Sequence, residues 1–257
     1  MNVTKYALVT GANQGIGLDT CRQLRDLGYA VILTARNDKE GRAAAEKLGV
    51  EYRHLDVTSA RDIAALADRL RAEKRTLDVF VNNAAVSMDG FNNHVVKETL
   101  AVNFFGALHV TEALLPLIAD GGTIVMVASG MGELHAYSAA TRGRFADPKS
   151  TRDQLVALVD EFIAAVATGT HTKAGWPSSA YRVSKAAVIA LAKLLARDLA
   201  PRRIRVVAAC PGWVRTRMGG RSAPRRVEEG AQSIVWAATE DAATAGGFFR
   251  DGRPAKW

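Results

Sequence analysis

Tyr181 and Lys185 stand at i and i+4 in Tyr181-Arg182-Val183-Ser184-Lys185, where a long apolar stretch begins. On a helix such positions share one face, so the spacing sets a phenol beside an ammonium. A free phenol has a pKa of about 10 and is a poor acid or base near neutrality. A neighbouring cation favours the phenolate and lowers that value, which suits the tyrosine to proton transfer. Tyr-x-x-x-Lys is a common spacing, and by itself it also describes a surface pair. Two further polar residues point to chemistry. Ser129 follows the apolar run at 123–128 and so sits at the carboxyl end of a buried strand. Ligands bind at that edge of open α/β sheets. Asn103 lies inside the apolar stretch 100–110, where a buried amide requires partners.

A second constellation suits a phosphate. The strand-like run 6–10 leads into Thr10-Gly11-Ala12-Asn13-Gln14-Gly15-Ile16-Gly17 and then a helical pattern. The unpaired N–H groups and dipole at a helix N-terminus favour an anion such as a dinucleotide pyrophosphate. Gly11 permits the tight turn, Gly15 lets the backbone approach the phosphates, and Gly17 lets the helix pack closely on the strand. The second strand ends in Leu33-Thr34-Ala35-Arg36. An acid there would bond the adenosine ribose of NAD, whereas the planar guanidinium of Arg36 suits the 2′-phosphate of NADP. NADPH/NADP+ is therefore the expected cofactor. The positive nicotinamide ring of its oxidised form would also favour the Tyr181 phenolate.

These residues need a scaffold, and the hydrophobic pattern describes one. Short β-branched runs at 6–10, 30–34, 52–55, 79–81, 123–128 and 204–208 read as buried parallel strands. Helical stretches at 16–27, 39–48, 60–74, 102–118, 179–199 and 228–239 lie between or after them. The alternation predicts a single doubly wound α/β domain over 1–257, a Rossmann fold with helices on both faces of the sheet. Residues 130–178 break the rhythm with one helical piece at 151–167, read as an insertion before the tyrosine. The 257 residues suffice for one large core, and 48% hydrophobic with 23% charged residues is ordinary globular composition.

The remaining composition mainly excludes. No run is apolar for 18 residues, so no membrane partner is expected. Cys21 and Cys210 show neither disulfide nor zinc spacing, and the N-terminus lacks signal-peptide character, which points to the cytoplasm. The five histidines show no paired ligand spacing, so no metal is expected. The formal charge of +8 includes Arg215, Arg217, Arg221, Arg225 and Arg226. Without interleaved aromatics beyond Trp213 these suit a phosphate or solvent rather than nucleic acid.

The set Thr10–Gly17, Asn82-Asn83-Ala84-Ala85, Asn103, Ser129, Tyr181-x-x-x-Lys185 and Pro211-Gly212 resembles the short-chain dehydrogenase/reductase family over essentially the whole chain. The resemblance implies reduction of a ketone or aldehyde to an alcohol, with Tyr181 as general acid. It implies that Lys185 binds the nicotinamide ribose and lowers the tyrosine pKa, that Ser129 bonds the substrate oxygen, and that Asn103 holds a relay water. It further implies contacts from Asp56, Val57 and Asn83 to the adenosine side. Pro211, Gly212, Val214 and Thr216 would lie near the nicotinamide. The runs LTAR, GWPSSAYRVSK and CPGWVRT are similar to the monomeric NADPH-dependent carbonyl reductase branch, which also carries a long insertion before the tyrosine. An insertion folded over the tyrosine helix would block tetramer contacts, so a monomer is expected. Two departures stand out: Ala85 where glycine is usual, and Gln14 where many NADPH-using relatives carry a cation. Met131, Trp176 and Trp213, with a lid over 215–226, are the expected walls for an apolar or aryl carbonyl substrate. Rival readings are a nucleotide-sugar epimerase or dehydratase, an NADP-binding regulator without catalysis, and an enzyme working mainly in the alcohol-oxidising direction.

Overall fold

The computed structural model describes residues 4–257. Strands β1 (Tyr6–Val9), β2 (Ala30–Ala35), β3 (Glu51–His54), β4 (Leu77–Asn82), β5 (Ile118–Val127), β6 (Arg205–Ala209), β7 (Phe248–Arg250) and β8 (Arg253–Pro254) form one sheet in the order β3-β2-β1-β4-β5-β6-β7-β8. Neighbours from β3 across to β7 pair in parallel, and β8 folds back antiparallel on β7. That hairpin turns through Asp251 and Gly252, both with positive φ (53° and 74°), as a two-residue connection requires. The last strand is thus an exception to the expected all-parallel sheet. The order reverses between β1 and β4, and this switch point opens a crevice at the carboxyl ends of the strands.

Successive residues of a strand point to opposite faces, and the core divides accordingly. Leu8, Ile32, Phe80, Ile124, Met126 and Val206 enter the larger cluster with the helices of one face. Ala7, Val9, Val31, Leu33, Val81, Val125 and Val207 enter the other. The α-helices are α1 (Gly15–Asp26), α2 (Asp38–Leu48), α3 (Ala60–Ala72), α4 (Asn93–Leu100), α5 (Ala107–Leu114), α6 (Ala139–Ala146), α7 (Arg152–Ala167), α8 (Ala180–Asp198) and α9 (Val227–Thr239). The insertion holds α6 and α7; α7 packs on α4 and α8, and α6 packs on α8.

The helix expected at 102–118 begins earlier. Asn92 caps α4 by accepting from the Val95 N–H at 2.9 Å. The helix then widens into a π turn at Ala101–Gly106 before continuing as α5. By length and composition Asn93–Leu117 could cross a membrane, but half of its apolar window is buried inside the fold. Val96, Leu100, Phe104 and Leu108 are core residues. The tyrosine helix α8 starts at the Ser179 cap, and most of its length is buried, so its polar residues are held rigidly.

Candidate active site

The turn after β1 is built by its glycines and by Asn83. Gly11 and Gly15 have φ of +61° and +59°. A Cβ on Gly17 would stand 2.4 Å from the Asn83 Nδ2. That amide donates to the Thr10 carbonyl at 2.8 Å and the Gly11 carbonyl at 3.1 Å. In return, the Thr10 hydroxyl accepts from the Asn83 and Ala84 N–H groups, both at 3.0 Å. Strands β1 and β4 are thereby laced together at the switch point. Ala85 is absent from the residues with positive φ, so alanine there carries no left-handed strain. No side chain caps the start of α1. Gly15, Ile16 and Gly17 instead open onto a cleft of about 650 Å³, a cradle suited to a phosphate.

Asn13, Gln14, Gly11, Arg36, Asn37, Glu40, Leu55, Asp56, Val57 and Asn83 line that cleft on the side of β1 and β2, where an adenosine could lie. The Asp56 carboxylate is tied into a local turn, accepting from the Thr58 N–H and hydroxyl at 2.9 and 2.7 Å. Arg36 is exposed at the rim. Tyr181, Lys185, Val127, Ala128, Pro211 and Thr216 line the same cleft at the strand ends toward β5 and β6. One continuous cavity therefore joins the glycine turn to Tyr181 and Lys185.

Lys185 is buried and donates to the Val127 carbonyl at 2.8 Å, with Nζ 5.6 Å from the centre of the Tyr181 ring. Burial pushes this lysine down to about 8. Burial likewise pushes the Tyr181 phenol up to about 12, and the Ser129 hydroxyl beside it opposes the rise. In the cofactor-free protein desolvation dominates and the phenol is raised rather than lowered, with Lys185 donating to a backbone carbonyl. Asn103 lies in the π turn, a distortion frequent at functional sites. Its oxygen accepts from the Val86 N–H at 2.8 Å, and its Nδ2 donates to the Val86 carbonyl at 2.9 Å and the Ser184 hydroxyl at 3.0 Å. The amide braces the loop beneath the cleft against the tyrosine helix.

Residues 5–143 match the family profile of short chain dehydrogenases, and residues 160–246 match that of enoyl-(acyl carrier protein) reductases. The chain belongs to the short-chain dehydrogenase family. Carbonyl reductase (NADPH) 1 of Bos taurus is 39% identical over 270 residues, covering 98% of each chain. The protein of the same name from Homo sapiens is 41% identical, covering 90% of each. Among solved structures, salutaridine reductase from Papaver somniferum superposes with a TM-score of 0.89 at 29% identity, over 96% of this chain and 100% of that one. Menthone neomenthol reductase from Mentha piperita gives 0.84 at 28%, over 97% and 99%.

The remaining site residues of this short-chain dehydrogenase divide by burial. Trp176 is only 5% exposed and packs among Tyr137, Phe145 and Phe162, away from the cleft lining. Its assignment as a substrate wall is corrected: it is the core of the insertion. Trp213 and Met131 are exposed but do not line the cleft either, and the indole of Trp213 donates to the Gly219 carbonyl at 2.9 Å. Val214 is buried under Gly230, so its side chain turns from the cleft. Gly212 (φ +81°) makes the bend beside the Arg225 side chain and is not in the cleft wall. Thr216 sits against Gly15. The sequence reading omitted Val86, Met88, Val102, Arg217 and Met218, all of which line the cleft. Arg217 and Met218 lie in the segment read as a lid. Met88 follows Asn82-Asn83-Ala84-Ala85 and shows no periodic pattern.

Proposed function

We propose that this dehydrogenase reduces ketones or aldehydes to alcohols with NADPH, Tyr181 acting as the acid. The cofactor, when bound, supplies the hydride. The glycine turn and the open start of α1 would hold its pyrophosphate, and Thr216 and Arg217 of the lid segment line the same cleft. Arg36 would pair with the 2′-phosphate, and Leu55, Asp56 and Val57 would border the adenosine. Lys185 would present its ammonium to the nicotinamide ribose. Tyr181 keeps its proton at neutral pH and donates it to the carbonyl oxygen as negative charge develops there. Ser129 offers a second hydroxyl to the same oxygen, so two donors meet the developing oxyanion. The three Asn103 side-chain hydrogen bonds leave one lone pair and the backbone carbonyl for a relay water, so its main role is to hold Val86 and Ser184 in place.

The observation that carries this reading is that Tyr181 and Lys185 line the same cleft as the phosphate turn. The mouth suggests the substrate class. Met88 and Met218 are exposed apolar side chains of the cleft lining, and Met131 and Trp213 are exposed outside it. Such a rim favours an apolar or aryl carbonyl compound over a charged one. The relatives named as carbonyl reductases support the reaction class.

The insertion packs over α4 and α8, so we read the enzyme as a monomer. Both cysteines are buried free thiols, in keeping with a cytoplasmic location. The test is loss of NADPH absorbance with a panel of aryl ketones, quinones, α-dicarbonyls and terpenoid ketones. Activity on at least one class, lost in Tyr181→Phe with NADPH binding retained, is the expected result. Full activity in that variant eliminates the mechanism.

A further inference from the structure

The adenosine half of the cleft sets one guanidinium against two carboxylates. Arg36 lines it and makes no ion pair among the described residues, while Asp56 is engaged with Thr58. Glu40 is the other carboxylate in the lining. It stands in the first turn of α2, where its N–H donates to the Asn37 cap at 3.1 Å. The cap fixes its backbone. Its carboxylate accepts from the Asn13 Nδ2 at 2.7 Å, reaching from α2 to the glycine turn. The bond thus holds a negative charge in the pocket that Arg36 offers to a phosphate. A dianionic 2′-phosphate seated on Arg36 meets repulsion from this carboxylate. An unphosphorylated ribose meets none, and its hydroxyls find an acceptor of the kind that serves NAD in other dinucleotide folds.

We propose that Glu40 is a cofactor-specificity residue, set against Arg36, that weakens selection for the 2′-phosphate and lets the enzyme use NADH as well as NADPH. This rests on the proposed NADPH reading and adds to it. Glu40 touches no reacting atom, so its effect belongs to binding and to the choice between cofactors. The interaction is between exposed groups and is screened by salt.

The test measures binding of adenosine 2′,5′-bisphosphate and adenosine 5′-monophosphate by calorimetry, using the full chain and its variants. Glu40→Gln keeps an acceptor for Asn13 and removes only the charge; Glu40→Ala removes both. The preference for the bisphosphate is expected to rise about tenfold in each variant at low salt and to rise less at high salt. The NADPH-to-NADH ratio of kcat/KM is expected to follow. An unchanged preference in both variants overturns the role of Glu40. Arg36→Gln separates this from the underlying reading. If that variant lowers the bisphosphate preference while the Glu40 variants leave it alone, only the present inference fails. If wild type shows no preference and Arg36→Gln changes nothing, the NADPH reading fails, and this inference with it.

Discussion

Tyr181 and Lys185 are ionisable groups in a site that penalises charge. For Tyr181 the penalty suits the proposed donor role, because a phenol raised to about 12 stays protonated near neutrality. Removing its hydroxyl in Tyr181→Phe should lower kcat for reduction by about 10³-fold, the usual worth of a positioned acid. Steady-state kinetics beside a cofactor-binding titration checks this. Lys185 behaves oppositely, being charged only below about 8. As pH rises through that value the cation proposed to face the ribose is lost. The kcat/KM for reduction should therefore fall above about pH 8, and a flat profile to pH 10 would contradict the role given to Lys185. Linkage gives a second test. Between about 8 and the ordinary 10.5 the unfolded chain binds a proton that the folded chain has released. The stability of the cofactor-free protein should therefore rise with pH in that window through this group. Below it the penalty is present in full. Lys185→Met should stabilise the free protein by about 2 kcal/mol at neutral pH, roughly 3 from relieved desolvation less about 1 for the bond to Val127. Thermal melts of both proteins read this out, and a lowered Tm would reject it.

At the scale of elements, the α4–α5 helix and the tyrosine helix depend on one another through Asn103. Its three side-chain bonds tie the π turn to the loop at Val86 and to Ser184 on α8. Asn103→Ala leaves the Val86 peptide without its partner and should cost about 2–3 kcal/mol of stability. It should also lower kcat more than cofactor affinity, since the loop sits beneath the reacting end. Denaturant unfolding and kinetics together test this. Much at this scale was legible beforehand. The strands at 6–10, 30–34 and 123–128 fall within two residues of β1, β2 and the end of β5, because fully buried strands must be runs of apolar residues. α4, α6, β7 and β8 went unread. α6 is short and half polar in sequence, and β7 follows the glycine pair Gly246-Gly247. Neither carries enough residues for a period to emerge.

For the molecule as a whole, the insertion decides the outer surface. Its aromatic cluster of Tyr137, Phe145, Phe162 and Trp176 is completed by packing on α4 and α8. A face already covered by α7 is not open to a second copy through the same helices. Sedimentation equilibrium should give the mass of one chain across the micromolar range. A tetramer mass would overturn that prediction.

The amino-acid sequence alone determined the chemistry that depends on local spacing. The glycine turn needs only positive φ at two positions and close packing at a third, and the Tyr181–Lys185 pair needs only a helical period. Both are properties of short segments. Tertiary packing alone decided what depends on distant neighbours and on water. It sent Trp176 into the core and left Trp213 outside. It raised the Tyr181 phenol through burial in the cofactor-free protein, and it brought the Glu40 carboxylate to Asn13 in the cleft that Arg36 also lines. Solvent exposure and electrostatic environment belong to no segment by itself, because they are set by everything that packs around it.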